Sequence, residues 1–172
     1  MPLPAVRAYR DSDRAAVIEA LVGLQDHEVA LHDTRLPGRQ IAEPYLAQLL
    51  GLVARHAGAV LVAETGGGFA GFVACYIAED EVIAETPDSN RYGYVSDIFV
   101  APDRRGSGLA QALLAAAERH FAAAGIARLR IGVLAANRMA CRAYEKHGFE
   151  PYEIVYEKRL ARPTGAKPGV PA

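Results

Sequence analysis

Two stretches of this chain carry residue types at spacings that can do chemistry. The first is Arg105-Gly106-Ser107-Gly108-Leu109-Ala110. It follows the β-branched and aromatic run Asp97-Ile98-Phe99-Val100, and it opens a helix with Leu109, Leu113, Ala117 and Phe121 on one face. Small residues at a helix entry let a ligand approach the backbone. The first N–H groups of a helix have no internal partner and sit at the positive end of its dipole, which suits phosphate. The same glycines also serve a tight turn with no ligand, and the residues alone leave both readings open. No Gly-Lys-Ser/Thr follows at P-loop spacing, and the third glycine of a dinucleotide fingerprint is missing.

The second stretch runs from Asn137 through Tyr144 to Gly148 and Phe149. Asn137, Ala140, Cys141 and Tyr144 share one helical face, and two turns, about 10 Å, separate Asn137 from Tyr144. Tyr144 fits as core filler with its hydroxyl at an edge. It fits equally as a proton donor, since a phenol near pKa ~10 stays protonated at neutral pH.

The elements that must position these residues follow from periodicity and punctuation. Strands are expected over 3–9, 59–63, 69–78, 93–100, 128–133 and 152–159, and helices from about 15 to 24 and over 40–56, 109–122 and 137–147. The order β-α-α-β-β-β-α-β-α-β predicts an α/β protein with a mixed sheet of about six strands. Its central meander is antiparallel, and a strand–helix–strand crossover sets the fifth strand parallel to the fourth. Residues 1–160 form one domain in this reading, and 161–172, with three prolines and two glycines, form a disordered tail.

Composition narrows the class. The chain has 172 residues, a formal net charge of −1 and 51% hydrophobic residues, which fits one globular domain. The longest uncharged stretch, 65–78, holds four glycines and is shorter than the ~18 apolar residues of a membrane span. No signal-peptide pattern opens the chain. The near-neutral charge offers no basic face for nucleic acid. Cys75 and Cys141 form neither a disulfide framework nor a zinc-ligand spacing, so no metal is expected. The expectation is a cytoplasmic protein without membrane or nucleic-acid partners.

Together the two stretches resemble the GNAT N-acetyltransferase superfamily. Its acyl-CoA signature, Arg/Gln-x-x-Gly-x-Gly/Ala, stands here as 105–110, with Ala110 in the last place. Its later block stands as Asn137, Ala140, Tyr144, Lys146, Gly148 and Phe149. The resemblance covers about residues 3–160 and implies a GNAT-like acetyltransferase fold with acetyl-CoA as co-substrate. It implies that backbone N–H groups of Arg105, Gly106, Ser107, Gly108, Leu109 and Ala110 hold the pyrophosphate. The strand edge at Phe99 and Val100 would pair with the pantetheine in a V-shaped gap between the fourth and fifth strands, and a backbone N–H near Val100 would polarise the thioester carbonyl. Asn137 would contact the pantetheine, and Tyr144 would protonate the leaving thiolate. A homodimer is also among its implications.

The implied reaction is direct attack of a neutral amine on the thioester, so an ammonium near pKa ~10 must first lose a proton. Asp97 is the first candidate base, followed by Glu85 and Glu79. The acidic run Glu79, Asp80, Glu81, Glu85 and Asp88 contains no cation of its own. It reads as a solvated hairpin tip or as an attractor for a cationic amine. His27, Glu28, His32 and Asp33 are candidate acceptor contacts. The expected function is acetyl transfer from acetyl-CoA to a small, cationic primary amine. The alternatives are a protein N-terminal or lysine acetyltransferase and a non-catalytic CoA-binding module, which a thiol-release screen over amines would separate.

Overall fold

The computed structural model describes residues 4–66 and 68–160. Five strands form one sheet in the order β1 (Ala5–Ala8), β2 (Ala59–Thr65), β3 (Gly68–Glu79), β4 (Arg91–Val100) and β5 (Leu129–Ile131). All neighbours are antiparallel except β4 and β5, which are parallel. Helices α1 (Arg14–Val29) and α2 (Gly38–Arg55) cover one face. Between β3 and β4 lies the one-turn α3 (Pro87–Asn90). Helix α4 (Leu109–Ala123) makes the crossover, and α5 (Arg138–Lys146) follows β5.

Alternation along the strands splits the apolar residues into two cores. Val60, Val62, Phe72 and Ala74 face Val17, Leu21, Leu46 and Leu49 of α1 and α2. Val73, Cys75 and Val95 face Leu109, Leu113, Ala117 and Phe121 of α4. The period-two pattern of the strands and the period-four pattern of α4 are thus both used as apolar faces.

One irregularity positions the site. Register shifts between Ala74 and Cys75: Cys75 pairs with Val95, but Ala74 pairs with Asp97, leaving Ser96 as an extra residue. This β-bulge changes which residues face which way. Val95 packs under α4, whereas after the bulge Phe99 packs against the α1/α2 core. Asp97, sharing parity with Phe99 and opposite Ala74, is turned to the α1/α2 side. The Ser96 hydroxyl donates to Ala74 O at 3.2 Å, which satisfies a group at the bulge.

The sixth strand expected over 152–159 is absent: these residues form no secondary structure and are exposed. Their alternation is real, but they lie off the sheet, held by side-chain tips. Tyr152 donates to Glu85 at 3.3 Å and stacks on Arg130, Glu157 pairs with His32 at 3.2 Å, and Arg159 pairs with Asp33. Strand β5 is also shorter than the expected 128–133. The tail expected over 161–172 lies outside the described residues.

Candidate active site

Strands β4 and β5 bond only from Gly93–Val95 to Leu129–Ile131. Pairing stops where the bulge begins, because a bulge bends and twists its strand. The strands then part, and a cavity of about 40 Å³ lies between them. Its walls are Ser96, Asp97 and Ile98 from β4, Ile131 at the end of β5 with Gly132 and Val133 beyond it, Asn137 capping α5 and Tyr144 within it, and Leu24 and Glu28 from α1. The V-shaped gap expected from the sequence is therefore present, and it joins Asp97, Asn137 and Tyr144.

Asp97 is 7% exposed. Burial pushes its carboxyl above the ordinary range, while the neighbouring Ser96 hydroxyl and the hydrogen bond from Tyr45 oppose that shift. Tyr45, on α2, donates its hydroxyl to Asp97 Oδ2 at 2.9 Å. Glu28 accepts an ion pair from Arg35 at 2.9 Å, and its charge raises both the Asp97 and the Tyr144 pKa. Burial, with smaller contributions from Cys141, Glu28 and Asp97, pushes the Tyr144 phenol up to about 12. It is therefore protonated at neutral pH. The Tyr144 ring tilts against Phe149 at 6.0 Å, so its placement uses both the helix and the Gly148 turn after it.

Asn137 has a structural duty. Its side-chain oxygen accepts from Ala140 N at 3.1 Å and caps α5. Its amide nitrogen donates to no partner among the described residues.

At the α4 end, Gly106 and Gly108 have φ of 77° and 83°, a region that favours glycine. No side chain caps α4, and a side chain built on either glycine would meet nothing within 4 Å. Arg105 N and Ser107 N donate within the turn, to Pro102 O and Arg104 O at 3.4 Å, and the start of α4 beyond them has no side-chain cap on its first backbone N–H groups, which suits an anion such as a pyrophosphate. Phe99 and Val100 lie beyond the last β4–β5 pair, so the edge of β4 there is free of β5. The Arg105 guanidinium donates to Val100 O at 3.4 Å and bridges that edge to the glycine turn.

The acidic run finds cations from outside itself in the fold. Arg91 pairs with Glu79 at 3.0 Å, Arg130 with Asp80 at 3.5 Å and Arg128 with Asp88 at 2.8 Å. Glu85 accepts from Ser89 at 2.5 Å. Neither Glu79 nor Glu85 lines the cavity. Tyr45 and Ser96 were missed by sequence reasoning: neither belongs to a motif, and each acts through a tertiary contact.

Residues 24–149 match the acetyltransferase (GNAT) family. The chain belongs to the GNAT family. This N-acetyltransferase is 30% identical over 145 residues to the uncharacterized N-acetyltransferase YhfO of Bacillus subtilis, covering 84% of this chain and 89% of that protein. It is 39% identical over 67 residues to a mycothiol acetyltransferase of Kocuria rhizophila, which is 39% of this chain but only 22% of that longer protein. Among solved structures, the mutant BH1408 protein of Bacillus halodurans superposes with a TM-score of 0.81 at 17% identity, covering 91% of this chain and 99% of that one. The aminoglycoside N-acetyltransferase AAC(6')-Iy, in complex with CoA, superposes with a TM-score of 0.64 at 22% identity, over 92% and 95% of the two chains. The GNAT fold, with its five-stranded mixed sheet, is thus shared. No helix among the described residues of this acetyltransferase is long and apolar enough to cross a membrane.

Proposed function

We propose that this acetyltransferase moves an acetyl group from acetyl-CoA to a small cationic primary amine, with Asp97 as the proton acceptor and Tyr144 as the proton donor. The observation that carries the reading is the cavity between the parted strands. It brings a buried carboxyl with a raised pKa and a protonated phenol together beside β4, the strand that leads on into the uncapped start of α4. Perturbed groups converging in a cleft are the pattern expected of an acid–base pair.

The roles divide by chemistry. The amides of 105–110 hold the pyrophosphate, the β4 edge at Phe99 and Val100 aligns the pantetheine, and the free amide nitrogen of Asn137 reaches it. The bound co-substrate supplies an acetyl thioester. Glu28 attracts the acceptor ammonium, and Asp97 takes its proton, directly or through water, held in orientation by Tyr45. A C–N bond forms, the C–S bond breaks, and the Tyr144 hydroxyl delivers a proton to the departing sulfur. A binding module would need neither the buried Asp97 nor the proton on Tyr144.

Support for a cationic acceptor comes from the two carboxyl groups in the cavity wall, Asp97 and the Arg35-paired Glu28, whereas the carboxylates of the acidic loop lie outside the cavity. The shared fold of an aminoglycoside N-acetyltransferase fits the same class. Two free thiols fit a cytoplasmic location, which we propose together with a homodimer.

Thiol release with diamines, aminoglycosides, amino acids and peptides tests the acceptor class. Cationic amines should give the highest kcat/KM, and Glu28→Gln should raise KM for them while acetyl-CoA affinity stays within a few-fold. Preference for anionic amines would overturn the assignment. Gly108→Asp and Gly108→Asn should separate charge from backbone strain at the cradle, because both side chains tolerate positive φ. Calorimetry should find acetyl-CoA affinity lost in the aspartate variant and largely kept in the asparagine variant, with circular dichroism unchanged in both.

A further inference from the structure

We propose that Tyr76 on β3 and Tyr94 on β4 form an aromatic floor beside the cavity, and that this floor selects acceptors whose flat aromatic ring stands a short linker away from the attacking amine. The proposal deepens the cationic-acceptor reading above and rests on it. Tyr76 and Tyr94 pair directly across the two strands. Their ring centroids lie 5.6 Å apart, with the planes tilted by 57°. Strand side chains alternate, so Tyr76 shares a face with Ala74, which packs in the α1/α2 core and pairs with Asp97. Tyr76 thus stands one same-face step, roughly 7 Å, along β3 from the strand partner of the proposed proton acceptor. Burial raises the Tyr76 phenol, and the nearby Tyr94, Tyr92 and Asp97 add to that shift. Tyr94 borders the other wall. A side chain built on Gly132 would come within 2.8 Å of the Tyr94 hydroxyl, and Gly132 lines the cavity.

Both rings are half-buried. Among the described residues Tyr45 and Tyr152 donate their hydroxyls to carboxylates, whereas those of Tyr76 and Tyr94 have no partner. Tyr92, the next residue of β4 on the same face, shows what such a ring takes: the Arg130 guanidinium lies 3.8 Å from its centroid. No cation lies over Tyr76 or Tyr94 among the described residues, so their faces are open to a ligand. Two rings set at an angle make a corner in which a third ring can stack on one and meet the edge of the other. Charge then decides between two acceptor shapes. The ammonium is drawn to Asp97 and Glu28 in the cavity wall. Farther along the face stands Arg130, and Asp80 beside it is already engaged by that guanidinium at 3.5 Å. A second ammonium, as in a diamine, would meet like charge there, whereas a neutral ring would pack on the tyrosines.

Thiol release with phenylethylamine, cyclohexylethylamine and diaminobutane compares an aromatic ring, a saturated ring of the same size and a second charge. Phenylethylamine should give the highest kcat/KM, by at least roughly threefold over each of the others. Tyr76→Leu and Tyr94→Leu should each lower its kcat/KM roughly three- to tenfold, leaving the other two amines within about twofold. Acetyl-CoA affinity by calorimetry should be unchanged in both variants. Tyr76→Phe keeps the ring and should keep the preference. The chain contains no tryptophan, so the fluorescence of tryptamine reports its own binding to the wild type and needs no variant to fold. With CoA bound, its emission should shift to the blue, and phenylethylamine should reverse the shift at concentrations where diaminobutane does not. A titration without a shift would overturn the floor. So would a ringless cationic amine that outruns phenylethylamine, or leucine variants that slow all three amines alike, and each of these results leaves the cationic acceptor standing. Preference for anionic amines over all three would overturn both readings.

Discussion

The proposed reaction asks Asp97, which is buried, to change charge as the amine attacks. A carboxyl whose folded pKa lies above its unfolded value lends stability at low pH and loses it as pH climbs through the folded value. Asp97→Asn should therefore raise Tm at neutral pH, and the gain should vanish below about pH 4, where unfolded aspartate is itself protonated. The same change should lower kcat by roughly 10²–10⁴-fold if the carboxylate takes the amine proton. Thermal scans and steady-state rates over pH measure the two together. A loss of activity without the gain in Tm would mark Asp97 as a structural partner of Tyr45. Tyr144→Phe removes one oxygen, so acetyl-CoA affinity should hold within a few-fold while kcat drops over the same range; pre-steady-state thiol release checks it. Both residues were legible in the sequence, Tyr144 because it sits in a spaced block and Asp97 because it ends a strand before a glycine turn. Tyr45 was not. It reaches Asp97 from 52 positions away, and its neighbours Leu46 and Leu49 mark only an apolar helix face.

Elements were legible to the extent that they carry their own periodicity. Helix α4 buries the face its spacing predicts, and strands β2 to β4 stand where their apolar runs do. The bulge at Ser96 was invisible, because an extra residue in a strand changes no residue type and is defined only by the opposite strand's register. Its effect should be measurable. Deleting Ser96 leaves Val95 and Asp97 on opposite faces, so the two cores survive. It also removes the bend that parts β4 from β5. The strands should then pair beyond Ile131 and close the cavity. The expected outcome is a folded protein whose acetyl-CoA affinity falls at least about tenfold, read by calorimetry beside circular dichroism. Undiminished affinity would mean that the gap is held open from β5 and α5 instead. The segment 152–160 teaches the complementary lesson. Its alternation is plain, but alternation names no partner, and within one chain the segment finds only side-chain tips.

At the scale of the molecule, charge acts with two signs. Arg7 on β1 holds Asp13, just before α1, at 2.7 Å and also pairs with Glu64 on β2, tying the sheet's outer edge to the first helix. That guanidinium draws both carboxyls below the ordinary range. Their stabilisation is present above the unfolded pKa and is lost as pH falls through the folded values, the reverse of Asp97. Tm should fall between about pH 5 and pH 2, and Asp13→Asn should flatten part of that slope while leaving thiol release at neutral pH intact. The start of α4 has a different consequence. In the proposed site what grips there is a set of peptide amides, and a peptide amide survives almost any exchange of the side chain beside it. Alanine at Arg105 or Ser107 should leave that grip nearly untouched, while side chains other than asparagine or aspartate at Gly106 or Gly108 work against a left-handed turn. An alanine scan would report the busiest part of the surface as almost mute, and a pattern of glycines is all the trace it leaves in the sequence.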